Sequence, residues 1–139
     1  MSSKRLRFLN YRSALLISLF LIVPLGYLVR FAQAGPAWLH DALGSVAYEI
    51  FWILLVVLLM PTASPAWAAI AVCLATCGLE VLQLWQHPIL QAMRATLIGR
   101  LVLGNTFTWS DFPAYFVGSA LGWVWVRSLK HQFLRRRTP

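Results

Sequence analysis

The chain has 139 residues, enough for one domain and too few for two, with 60% hydrophobic and only 12% charged residues. A soluble domain is about a quarter charged, so a water-soluble globule is excluded and helices packed in a bilayer are predicted. The formal net charge of +8 does not point to nucleic acid. Nine of the twelve basic residues flank the two ends: Lys4, Arg5, Arg7 and Arg12 before the first apolar segment, and Arg127, Lys130, Arg135, Arg136 and Arg137 at or after the last. No nucleic-acid motif accompanies them. This is the positive-inside pattern of a protein with both termini cytoplasmic, and membrane lipids with anionic headgroups are a sufficient partner.

A basic tail over residues 1–12 leads into a first apolar helix over about 13–31. The small-residue sequence Ala32-Gln33-Ala34 after it resembles a signal cleavage site, but the run is long for a signal and Arg30 crowds that site. It is expected to be a retained helix, bent in its outer third by Pro24 and Gly26. A loop from Gln33 follows, containing Gly35-Pro36 and His40, and Asp41 is placed to cap a second helix over 42–60. Pro61-Thr62-Ala63-Ser64-Pro65 is a tight turn whose prolines stop one helix and start the next.

The third helix is predicted over 66–86, ending at His87-Pro88. The apolar run over 89–103 carries Arg94 and Arg100 and is marginal for a crossing. Gly104-Asn105 ends it, and Ser110 or Asp111 is placed to cap a last helix over 111–127, followed by a basic tail over 128–139. Four crossings return both tails to the same side. Trp38, Trp67, Trp85 and Trp109 all fall near helix ends, where indoles prefer the interface. The expected fold is an all-α membrane protein in a single domain over 1–139. It has four transmembrane helices plus a short re-entrant or interfacial helix between the third and fourth.

All four acidic residues, Asp41, Glu49, Glu80 and Asp111, fall in the outer half of this topology. A charged group inside lipid is costly and is a functional-site candidate by default. Glu80, Gln83 and His87 share one helical face; so do Ser45, Glu49 and Trp52. Asp111, Tyr115, Gly118 and Gly122 form a stripe on the last helix, whose glycines, with Ser119 beside them, allow close helix packing. The cations for this cluster are Arg94 and Arg100. Glu80 is expected to pair with Arg94, and Asp111 with Arg100 or with a backbone cap. Such ties could be purely structural, or they could line a pocket for an anionic or polyol headgroup or pass a proton.

Other chemistry finds little support. Cys73, Cys77, Glu80 and His87 spread over about 21 Å of one helix and cannot surround one metal ion. The two cysteines give no disulfide framework. No cofactor motif, nucleophile elbow or phosphate loop is present. Glu80 and His87 stand about 10 Å apart along the helix axis, too far to share a proton, so no catalytic residues are assigned.

Glu80-x-x-Gln83, then Arg94, Gly104 and Trp109-x-Asp111-x-x-x-Tyr115-x-x-Gly118 resembles the pattern of an uncharacterised family of small bacterial inner-membrane proteins. That family looks distantly related to the VanZ-like membrane proteins, which carry Glu-x-x-Gln followed by a later Asp-x-x-x-Asn/Tyr-x-x-Gly. The resemblance covers most of the chain from Tyr11 to about Gly122. It implies the bacterial inner membrane, and an association with the cell envelope and with resistance to teicoplanin-type glycopeptides. Its candidate site residues are Glu80, Gln83, Arg94 and Asp111, with Tyr115 ranked lower.

Two functions are therefore in view. One is an envelope-associated binding or transport-accessory protein whose outer-leaflet pocket takes a lipid headgroup or anionic ligand through Glu49, Glu80, Gln83, Arg94, Asp111 and Tyr115. The other is a structural subunit or assembly factor that meets a membrane-protein partner through Gly118 and Gly122. An intramembrane enzyme ranks last.

Overall fold

A computed structural model describes residues 3–32 and 35–135. Gln33 and Ala34 of the proposed signal site and first loop, and Arg136 and Arg137 of the basic tail, lie outside the described residues.

Six helices follow one another, with no strand among the described residues: α1 Ser3–Phe31, α2 Ala37–Leu59, α3 Pro65–Leu82, α4 Pro88–Ala95, α5 Leu97–Leu103 and α6 Asp111–Leu134. Helix α1 absorbs the basic leader. At 29 residues it is about 43 Å long, well beyond a hydrocarbon thickness of about 30 Å. It runs on through Pro24 without a break.

Helix α2 starts five residues before the expected Ala42. Pro36 in an extended conformation turns the chain directly into it, with no side-chain cap. Asp41 therefore lies inside the helix and does not cap it. Its carboxylate pairs instead with Arg30 at 3.4 Å. Ser64 caps α3 by accepting the Trp67 N–H at 3.0 Å, with Pro65 at the first helical position.

The short segment predicted over 89–103 is two helices, not one. Thr96 breaks it with an extended backbone and caps α5 through the Gly99 N–H. Ser110 occupies the N-cap position of α6, as one of the two residues expected there, but its side chain makes no capping hydrogen bond. That helix also runs further than the predicted 127, to Leu134.

Three helices, α1, α2 and α3, are long and apolar enough to span a membrane, rather than the expected four. The last helix has the length, 24 residues. Its apolarity is diluted by Asp111, Pro113, Tyr115, Trp123, Trp125 and Arg127.

Helices α2 and α6 pack along one another at the centre, with α1 on one side and α3 on the other; α1 and α3 do not touch. The core is apolar at its heart: Leu15 and Ile22 of α1, Ile53, Leu54 and Val57 of α2, Val72 of α3 and Val126 of α6. The periphery is apolar too. Phe20 is 78% exposed, and Ile17, Ile70, Leu74, Val117 and Leu121 also face outward. Water does not tolerate such a surface, whereas acyl chains do.

The start of α1 and the end of α6 lie together at one end of the bundle, with Lys4, Arg7 and Phe8 beside Leu134. There Lys130 Nζ donates to the Ala63 carbonyl in the α2–α3 turn at 3.0 Å. The C-terminal end of α3, α4, α5 and the start of α6 occupy the far end, where the polar residues gather.

Candidate functional site

Helix α6 carries Asp111, Tyr115 and Ser119 at i, i+4 and i+8, one face of a helix. Each hydroxyl or carboxyl on this line is hydrogen-bonded to a different position on the flanking helices. The Ser45 hydroxyl on α2 donates to Asp111 Oδ1 at 3.0 Å. The Tyr115 hydroxyl donates to Glu80 Oε2 on α3 at 3.1 Å. Deepest in the bundle, the Ser119 hydroxyl donates to Glu49 Oε1 on α2 at 2.7 Å.

Gly118 and Gly122 make this seam possible. A Cβ on Gly118 would lie 2.7 Å from Glu49 Cβ and 2.9 Å from the Val46 carbonyl oxygen, and one on Gly122 would lie 2.7 Å from Ile53 Cδ1. Both glycines thus pack α6 onto α2 within the chain. The face they were expected to offer to a partner protein is covered by α2.

Glu80 is the centre of the seam, 1% exposed. Its Oε2 accepts from Gln83 Nε2 at 3.0 Å as well as from Tyr115, and its Oε1 accepts the Thr108 backbone N–H at 2.6 Å. Three neutral donors, from the residue after α3, from α6 and from the α5–α6 loop, therefore converge on one carboxyl group. Gln83 Oε1 is buried beside it without a partner.

Gly104 closes the centre. Its φ is +67°, and the Gln83 amide fills the space a Cβ would need. Only glycine meets both conditions without strain. Nearby, the Tyr48 hydroxyl donates to the Val102 carbonyl at 3.0 Å and ties α5 to α2.

Neither expected arginine pair forms. Arg94 is 4% exposed, and its guanidinium donates to the carbonyls of Leu82 at 2.9 Å and Trp85 at 3.3 Å. The reason is the end of α3, which stops at Leu82 and not at the predicted Gln86. The Leu82 carbonyl there accepts only the Trp85 N–H of a turn, at 3.0 Å, and a cation near a helix C-terminus satisfies such carbonyls further. Arg94 Nε remains buried and unpaired. Arg100 is exposed and makes no bond to Asp111.

Arg30–Asp41 is the one ion pair among the described residues. The site thus brings together Glu80, Gln83 and Tyr115. Asp111 and Glu49 lie above and below on the same seam, and Arg94 is attached to the frame that carries it. His87 is spent on the start of α4, where Nδ1 accepts the Ile89 N–H at 3.3 Å.

Three participants were missed from the sequence. Ser119 was noted only as a small residue, although its i+4 spacing from Tyr115 placed it on the seam. Arg30 enters the sequence reading only as a charge beside the small-residue run, with no partner assigned, whereas it pairs with Asp41. The Thr108 backbone N–H carries no side-chain signal at all.

The arrangement is rich in oxygen acceptors and, at its centre, free of cations. Its chemistry is to hold hydrogen-bond donors.

The profile of a family described as "Protein of unknown function (DUF2809)" matches residues 34–119. Every member of the seam, from Ser45 to Ser119, falls within the match. No curated protein and no solved structure matches the chain, and nothing in these comparisons links it to the VanZ-like proteins.

Proposed function

This chain belongs to the DUF2809 family, and we propose that it is a four-crossing membrane protein whose Glu80 centre takes the headgroup of a lipid or lipid-linked molecule at the outer face. The observation that carries this reading is the Glu80 carboxyl group, withdrawn from solvent among neutral donors, with the unpaired Gln83 Oε1 beside it. The loop over it is attached to Glu80 by a single backbone hydrogen bond, from Thr108. A headgroup bearing alcohol or amine hydrogens complements such a centre, replacing one set of donors with another. An anionic headgroup fits less well, because Arg94 is committed to the end of α3 and Arg100 is exposed with no bond to the centre.

A fourth crossing by α6 is supported by its length of about 36 Å and by its packing along α1, α2 and α3. With four crossings both basic ends lie on one side, cytoplasmic by the positive-inside rule, and the Glu80 centre lies toward the other. Placement in a bacterial inner membrane, with a role at the cell envelope, rests on the VanZ-like resemblance.

Native mass spectrometry of the gently extracted protein tests the reading. A bound lipid with an alcohol- or amine-bearing headgroup is expected on the wild type and absent from Glu80→Gln and Gln83→Leu. Folded wild-type protein that carries no such lipid, or variants that carry it equally, would leave the centre as a structural latch and sink the proposal.

A further inference from the structure

A second feature lies on the lateral face of the bundle, between α3 and α6. It is a groove of about 410 Å³, a size typical of small-molecule sites, which span roughly 300–1,000 Å³. Ala69, Ile70 and Cys73 of α3 and Phe116, Ala120 and Trp123 of α6 line it, and nearly all of its surface is apolar. Ser119 also reaches its wall, but its hydroxyl is already donated to Glu49. The trough exists because α3 presents alanines and a cysteine where larger side chains would meet α6.

Its occupant can be read from the charges at one end. Trp123 leads toward the chain termini, and the Arg127 guanidinium lies over its ring, 5.1 Å from the centroid. Arg127 is exposed, which leaves its N–H groups free to face an anion. One turn further on, Lys130 reaches the Ala63 carbonyl beside the start of α3. None of the four acids lies at this end. An acyl-sized trough that finishes under two cations fits a lipid with one negative headgroup.

We propose that the α3–α6 groove is a binding site for an anionic phospholipid, with an acyl chain along Ala69, Cys73 and Ala120 and the phosphate at Arg127 and Lys130. A transmembrane helix of a second copy would fill the trough equally well by shape. It would not explain the paired cations, because the chain has no acidic residue near that level to meet them.

The test uses the full chain, delipidated in mild detergent, titrated with phosphatidic acid and with phosphatidylcholine of the same acyl chains and read by native mass spectrometry. Neither lipid carries the alcohol or amine hydrogens suited to the Glu80 centre, so the outcome is separate from that of the previous section. The wild type should prefer phosphatidic acid. The double variant Arg127→Gln, Lys130→Gln should lose roughly thirty-fold of that preference, about five-fold per cation. Ala120→Leu, at an exposed position that fills the trough, should weaken both lipids while thermal unfolding stays unchanged.

An equal preference in the double variant would overturn the proposal, as would undiminished binding in Ala120→Leu. A lipid-independent dimer that Ala120→Leu abolishes would overturn it in favour of a second copy.

Discussion

Replacing Glu80 tests the donor arrangement directly, because two substitutions of similar size predict very different costs. Glu80→Leu strands three donors at once: Gln83 Nε2, the Tyr115 hydroxyl and the Thr108 N–H. Interhelical hydrogen bonds in membrane proteins are worth about 0.6 kcal/mol each and at most about 1.7, so the loss sums to about 2–5 kcal/mol. Glu80→Gln keeps an oxygen for Thr108 and puts an amide N–H₂ where Oε2 stood. The Gln83 amide can then turn over and present its unpaired Oε1, and the Tyr115 hydroxyl can rotate to accept. Every bond is remade, and the expected cost is about 0–1 kcal/mol.

The assay is thermal unfolding in detergent followed by tryptophan fluorescence. At about 4 °C per kcal/mol, Glu80→Leu should lower Tm by about 8–20 °C and Glu80→Gln by about 4 °C or less. If the two variants fall together, charge and not donor satisfaction holds the centre. If Glu80→Leu unfolds like the wild type, the three bonds do not contribute to stability and the reasoning fails.

Gly118→Leu should destabilise by about 1–3 kcal/mol or more, because its Cβ would press on Glu49 Cβ and the Val46 carbonyl. Gly78 has nothing within 4 Å of a built Cβ, so Gly78→Ala should be stabilising by about 0.5–1 kcal/mol; equal effects from the two changes would contradict the α2–α6 packing. Gly104→Ala should cost about 1–3 kcal/mol for a backbone at φ +67° and ψ 177° that is essentially confined to glycine, and should speed hydrogen exchange at the Thr108 amide, whose protection comes from Glu80; unchanged exchange there would refute the link. Arg94→Leu should speed exchange across 88–103 while α1 and α2 keep their protection; slow exchange throughout would show that α4 and α5 are held by something other than the guanidinium.

Helix existence was legible because it depends on runs of apolar residues, which are local. Helix ends were less so. Helix α2 starts at Ala37 and not Ala42 because Pro36 redirects the chain, which puts Asp41 within the helix, where its exposed carboxylate faces Arg30. Helix α3 ends at Leu82 and not Gln86, and the Arg94 side chain, returning from α4, takes the Leu82 and Trp85 carbonyls exposed there. That single shift also removed the expected Glu80–Arg94 pair. Opposite charges at plausible depth suggested the pair, but a guanidinium follows the carbonyls it can reach. For α6, the polar and aromatic residues that keep it below the apolarity of its neighbours include Asp111 and Tyr115 of the seam and Trp125, whose Nε1 donates to the Ser18 hydroxyl of α1 at 3.1 Å.

By itself the sequence determined that the chain is helical and suited to a membrane, that its cations crowd the termini, and that Glu80, Gln83, Asp111 and Tyr115 belong to the polar cluster. Hydropathy and helical spacing suffice for the helices and for Glu80 with Gln83 or Asp111 with Tyr115, and the expected topology places these pairs at the same end. Only the tertiary structure decided which donor meets which acid. Thr108 and Glu80 are 28 residues apart, and Ser119 and Glu49 are 70 apart. A hydrogen bond is made or lost within a few tenths of an ångström, a tolerance that only the packed helices, brought close by Gly118 and Gly122, can set.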